Sequence, residues 1–240
     1  MKISKFLMGL SFGLLLLMAA CSPKNSFVQV KDGQFLVDGK PYYFIGTNFW
    51  YGGMLGSVGQ GGDRERLIRE LDLMKSVGIT NLRVLVGADG YDNSASKVRP
   101  ALQIEPGVYN DTIFDGLDFF LSELGKRDMY AVLFLNNSWD WSGGYGQYLE
   151  WANVAPDTAG VRGWAQQTRM LSQYASCDEC KELFFNHVRH VLSRTNRYTG
   201  KKYIDDPAIL SWQVGNEPRA FSNEAKPYFA LWLKETTALI

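Results

Sequence analysis

Apolar and polar positions alternate through "FVQVKDGQFLVDGK" (residues 27–40), and the pattern breaks at Asp38–Gly39. A period of two with an Asp-Gly pair predicts a small β-hairpin. It leads into a first core strand near residues 43–46, which delivers Asn48, Trp50 and Tyr51 into a glycine-rich loop. The period then changes. In "DRERLIRELDLMKSVG" Leu67, Leu71 and Met74 recur at helical spacing, with Asp63 placed to cap the start and Gly78 to stop the end. "TNLRVLV" (80–86) reads as a second strand. After a loop through "RPALQIEPGVYND", Ile113, Leu117, Phe120, Leu121 and Leu124 mark one face of a helix stopped near Gly125. "YAVLFLN" (130–136) is a third strand, and residues 136–176 show little periodicity. "CKELFFNHVRHVLSRTNRYTG" predicts a helix ending near Gly200, "AILSWQV" (208–214) a fourth strand, and "AKPYFALWLKETTALI" a fourth helix.

The sequence therefore predicts strand then helix, four times over. The strands are short and apolar throughout, as parallel strands covered on both faces should be. Such a pattern fits a doubly wound open sheet or part of a (β/α)8 barrel. The first strand–helix turn lacks G-x-G-x-x-G, which counts against a dinucleotide site. Polar and aromatic residues gather after the strand ends (Asn48 to Trp50, Asn136 to Trp139, Asn216 and Glu217), where barrel enzymes build their sites.

Composition narrows the function. Of 240 residues, 46% are hydrophobic and 14% aromatic, enough for a sizeable core, while 25 basic against 25 acidic side chains give no net charge and no nucleic-acid footprint. The start has its own pattern: Lys2 and Lys5, an apolar run from Phe6, then Ala19 and Ala20 before Cys21. That describes a secretory signal (1–20), too short to span a bilayer. With Cys directly after the small pair it resembles a bacterial lipoprotein signal. Lipidation of Cys21, a polar tether (21–26), an exported monomer anchored to a bacterial membrane, outer membrane or cell surface before others, and one large unit over 27–240 are the resulting expectations. Cys177 and Cys180 share C-x-x-C spacing, but His187 and His190 complete no zinc pattern, so no metal is expected. A local disulfide and two ordinary thiols both stay open.

Within "ILSWQVGNEPRAF" a buried-looking strand breaks at Gly215 and presents Asn216 and Glu217. A carboxylic acid at a strand end can donate a proton to a leaving group, and the neighbouring amide can bind a substrate hydroxyl. Arg83 lies inside the second strand, where a buried guanidinium calls for an anionic partner. Four of the seven Trp (Trp139, Trp141, Trp151 and Trp164) fall in the long connection after the third strand. Loops of that length are usually functional, and flat rings with a polar handle suit the faces of sugars.

Taken together, "GTNFWYGG", "NLRVLVG", "RPALQ", "PGVYN", "LFLNNSWDWSGGYGQYLEWA" and "DDPAILSWQVGNEPR" resemble glycoside hydrolase family 5, and within it the endo-β-1,4-mannanases. The resemblance implies a (β/α)8 barrel that cleaves mannans with retention and without a cofactor. It implies Glu217 as general acid/base, Asn216 as its substrate-contacting neighbour, and Arg83 at the floor of the cleavage subsite, orienting the nucleophile. Trp50, Asn136 and Trp139 are further sugar-binding candidates. Another β-1,4-glycanase activity, or a glycan-binding lipoprotein without turnover, are the alternatives. In this family the nucleophile ends the seventh strand. The sequence reaches four strands, so the chain is expected to be the N-terminal portion of a catalytic domain, inactive alone, with two open strand edges and an apolar inner face.

Overall fold

The computed structural model describes residues 26–91, 96–155, 160 and 162–240. Cys21, with the expected signal and most of the tether, lies outside them. The chain opens with a three-stranded antiparallel sheet, β1 (Gln29–Lys31), β2 (Gln34–Val37) and β3 (Lys40–Pro41). Its two tight turns place Asp32–Gly33 and Asp38–Gly39 at positive φ, which aspartate tolerates and glycine adopts freely.

Four parallel strands come next: β4 (Ile45–Asn48), β5 (Ile79–Leu85), β8 (Tyr130–Phe134) and β9 (Ile209–Gln213), paired in that order. A doubly wound sheet reverses its strand order at a switch point. Here each strand lies beside its predecessor, as in a barrel wall. The connecting helices are α2 (Arg64–Ser76), α3 (Asp111–Gly125) and α6 (Asp178–Ser193), and α7 (Lys226–Leu239) comes after β9. Asp63 caps α2 by accepting from the Arg66 amide at 2.8 Å, and Asn110 caps α3 by accepting from Thr112 at 3.0 Å. A short α1 (Gly52–Leu55) occupies the glycine-rich loop and lies so close to α3 that a Cβ on Gly116 would fall 2.1 Å from the Gly53 carbonyl.

The strands are not apolar throughout. Positions facing the helices are: Leu82, Val84, Ala131 and Leu133 are fully buried with Leu71, Phe120, Phe184 and Val188. The alternate positions face inward, and there Asn48, Asn81, Arg83 and Gln213 line one cavity with Phe44 and Val132. This corrects the expectation of an apolar inner face.

Two further corrections concern the connections. The stretch 136–176 holds α4 (Gly144–Trp151), α5 (Gly163–Leu171) and 3-10 turns at 140–142 and 174–176. Another irregular stretch forms a small hairpin, β6 (Gln103–Glu105) with β7 (Val108–Tyr109). Helix α6 ends at Ser193, not near Gly200. Asn196 ends helix geometry by accepting from the amides of Tyr198 (2.8 Å) and Thr199 (3.1 Å) and donating to the Asp118 carbonyl (2.9 Å). Asp118 is fully buried and takes two bonds from Arg194 (3.0 and 2.7 Å) and one from the Tyr203 hydroxyl (2.6 Å), tying this turn to α3. Cys177 and Cys180 form a disulfide at the start of α6.

Candidate active site

The C-terminal ends of β4, β5, β8 and β9 bring the predicted residues together. Parallel register sets Asn48 beside Arg83, and Phe134 beside Gln213. Arg83 therefore extends over the Phe134 ring, its guanidinium carbon 4.1 Å from the centroid. From there Nε donates to Gln213 Oε1 (2.7 Å), Nη2 to Asn216 Oδ1 (3.2 Å) and Nη1 to Asn48 Oδ1 (3.4 Å). All three acceptors are neutral, so the expected anionic partner is not among them. Partial burial lowers the pKa of Arg83, and the field of Glu217 offsets part of that shift. Asn48, Trp50, Arg83, Phe134, Trp141 and Asn216 enclose a cavity of ≈ 280 Å³, with Trp50 and Trp141 meeting edge to face at 6.2 Å.

Asn216 spans two strand ends. Its amide nitrogen donates to Asn137 Oδ1 (3.2 Å), and that same oxygen accepts from the Trp139 backbone amide (3.1 Å). The backbone is tied as well: the Asn216 N–H donates to the Asn136 carbonyl (2.8 Å), and the Ser138 N–H to the Asn216 carbonyl (3.1 Å). The ladder thus continues past the strands and fixes the backbone at Glu217. That residue adopts a φ of 47°, a left-handed conformation that costs a residue bearing a Cβ about 1–2 kcal/mol. It is held there by Ser138 Oγ donating to its carbonyl at 2.7 Å.

The Glu217 carboxylate is over half exposed. Its Oε2 accepts from Trp139 Nε1 (2.7 Å) and Arg219 Nη2 (3.1 Å), while Oε1 accepts from nothing among the described residues. One oxygen is oriented and the other is free to meet a substrate. Arg219 in turn lies over the Trp139 ring at 5.0 Å.

Asn136 does not belong to this surface. Fully buried, it donates from Nδ2 to the Tyr174 hydroxyl (2.9 Å) and accepts from the Asn137 amide (2.7 Å). The sugar-contact expectation is corrected, because both polar atoms are spent beneath the loop. Tyr145, Tyr148 and Trp151 are likewise buried, Tyr145 stacking on Tyr174 at 3.9 Å. Asn137, Gln213 and Arg219 were not anticipated. For Gln213 there was a signal: it shares the inward parity of Ser211 on a strand whose pattern was read as uniformly apolar. Among the described residues no group of His, Cys, Asp and Glu could hold a metal. His187 is fully buried and packs on Phe184 and Tyr109.

This fold and strand-end site match a known class. Residues 25–240 match the family model described as GH family 5 beta-mannosidase-like. The chain belongs to that family of glycoside hydrolases, and its four strand–helix units are part of a (β/α)8 barrel. Among individual relatives, mannan endo-1,4-beta-mannosidase 1 of Oryza sativa subsp. japonica is 33% identical over 214 residues, covering 89% of this chain and 46% of that protein. Its counterpart from Solanum lycopersicum is 29% identical, covering 95% and 53%. The family 5 mannosidase from Rhizomucor miehei superposes with a TM-score of 0.77 at 33% identity, covering 91% of this chain and 55% of that one. The endo-1,4-beta-mannanase from the same fungus gives 0.70 at 28%, covering 90% and 57%. The chain spans about half the length of the curated relatives it matches.

Proposed function

We propose that the protein is a retaining endo-β-1,4-mannanase acting on mannan, glucomannan or galactomannan, with Glu217 as its general acid/base. The observation that carries this reading is the Glu217 carboxylate, fixed through one oxygen by Trp139 and presented beside the Arg83–Asn216 pair. Glu217 protonates the glycosidic oxygen as the leaving chain departs, then takes a proton from the incoming water. Asn216 binds a hydroxyl of the sugar under attack. Trp50 and Trp139 supply apolar faces to sugar rings.

Retention requires a second carboxyl about 5–5.5 Å from the first. None of the side chains enclosing the Arg83 cavity is acidic. In this proposal the nucleophile is a glutamate on a later strand of the barrel, and it completes the charge balance of Arg83. Two carboxyls and water suffice for the chemistry, so no cofactor is invoked. Export as a monomer, with a lipid on Cys21 holding it to a bacterial membrane, belongs to the same proposal.

The test is hydrolysis by the full-length protein of glucomannan, galactomannan and cellulose, with the anomeric configuration of the first product read by NMR. Release of β-configured oligosaccharides from the mannans but not from cellulose is expected. Equal release from cellulose, or an inverted product, would refute the assignment. Retention of mannan without any release of reducing ends would make the protein a binding module.

A further inference from the structure

Asn137 has no part in the chemistry above, yet its backbone and both ends of its side chain are committed beneath it. The residue is fully buried, in the loop that follows β8. Its backbone N–H donates to Asn136 Oδ1 (2.7 Å), and its carbonyl accepts from the Tyr145 amide (2.9 Å). In the side chain, Nδ2 donates to Ser142 Oγ (2.9 Å), while Oδ1 accepts from the Trp139 amide (3.1 Å) and from Asn216 Nδ2 (3.2 Å). The loop closes tightly around this residue: a Cβ on Gly144, at a φ of 55°, would lie 2.3 Å from the Asn137 carbonyl. Ser142 is held in turn, because its carbonyl accepts from the Asp89 amide (2.9 Å). A backbone N–H can only donate, so the Trp139 amide decides which end of the Asn137 carboxamide is oxygen.

That decision passes to Asn216. Its carboxamide meets an acceptor on Asn137 and a donor, Nη2, on Arg83 (3.2 Å), so only one orientation satisfies both neighbours. Nitrogen faces Asn137 and oxygen faces Arg83. The reversed amide would set two oxygens against each other and an NH2 group against the guanidinium. The second N–H of Asn216 donates to nothing among the described residues, and Asn216 lines the Arg83 cavity. We propose that Asn137 is a positioning residue for glycoside cleavage, fixing the Asn216 carboxamide so that an N–H meets the sugar hydroxyl. This rests on the reading of Asn216 as a substrate contact beside Glu217. The hydroxyl then enters the site as an acceptor, and such a contact strengthens as the sugar approaches the transition state. Arg83 alone holds one end of the carboxamide. Without Asn137 the other end is free to swing about that contact, and the N–H is no longer aimed.

The bland alternative is that Asn137 only braces the loop, and then its loss would act alike whether or not Asn216 is present. The experiment is a double-mutant cycle in the full-length protein, with Asn137→Ala, Asn216→Ala and the pair compared with wild type on mannohexaose. Asn137→Ala is expected to lower kcat/KM about tenfold in the wild-type background, as the loss of one well-placed hydrogen bond gives. In the Asn216→Ala background the same substitution should cost less than about twofold, since the group it positions is gone. Equal losses on the two backgrounds, or no loss on either, overturn the proposal, while wild-type turnover leaves the mannanase reading standing. If Asn137→Ala does not fold, Asn137→Ser, whose hydroxyl is one bond shorter than Oδ1, is put through the same cycle and judged by the same outcomes. If the wild type does not cleave mannohexaose, calorimetry with that sugar on the Glu217→Gln protein decides. Binding weakened severalfold by Asn137→Ala only while Asn216 is present upholds the positioning role alone. Equal weakening on both backgrounds overturns it, and absence of binding overturns both readings.

Discussion

Arg83→Lys keeps the positive charge at the floor of the cavity and removes the planar fork that distributes it. In the native arrangement the guanidinium holds Gln213 at 2.7 Å, Asn216 at 3.2 Å and Asn48 at 3.4 Å while lying 4.1 Å above the Phe134 ring. The last of these bonds is long and contributes little, so two bonds matter. A lysine ammonium can keep one of them, and it lacks the flat face that stacks on Phe134. Losing one charge-assisted bond and the stacking costs about 2 kcal/mol of stability. The catalytic effect exceeds the stability effect, because Asn216 loses the donor that fixes its oxygen and retains only its bond to Asn137. A displacement on the order of 1 Å beside the proposed acid/base costs about 10²-fold in kcat. The assay is kcat and KM on mannohexaose, with urea unfolding of the same preparation. A lysine variant within threefold of wild type in kcat would refute the claim that this fork positions the site.

Two further perturbations probe the scaffold. Asp118→Asn leaves Arg194, whose side chain is 11% exposed, without a charged partner, and should lower unfolding free energy by about 3–5 kcal/mol in urea; a loss under 1 kcal/mol would show that the clasp is not structural. Burial depresses His187 to a pKa of about 3. The unfolded chain, with an ordinary histidine near 6.5, binds that proton first, so stability is full above about pH 6.5 and falls by roughly 1.4 kcal/mol per pH unit as pH drops toward 3. His187→Phe should flatten the melting-temperature profile between about pH 6 and 4.5, and an unaltered slope there would contradict the assignment.

Helix faces were legible where one side is buried against the sheet. Leu67, Leu71, Ile113, Leu117 and Phe120 all lie where their spacing put them, because a 3.6-residue period survives on a one-sided element. The inner face of the strands was hidden for the opposite reason. Asn81, Arg83, Ser211 and Gln213 interrupt short strands at a period of two, and in runs this short the apolar majority masks them. Glu217 and Asn216 were visible as polar residues after a strand end, and Arg83 as a charge inside a strand. Asn136 and Asn137 were indistinguishable by type; only their opposite orientation sends one into the core and the other to Asn216. The long connection after β8 could not be resolved by period. Its aromatics serve two purposes, Tyr145, Tyr148 and Trp151 filling its core while Trp139, Trp141 and Trp164 are left toward the site and solvent.

The central claim is that Glu217 supplies the proton to the leaving chain. The most direct measurement compares Glu217→Ala with wild type, both full length, on mannan and on a dinitrophenyl β-mannobioside, whose leaving group needs no proton. The account predicts a loss of about 10²–10⁴ in kcat/KM on mannan and a far smaller loss on the activated substrate. Equal losses on both, or full activity on mannan, would show that the proton comes from elsewhere.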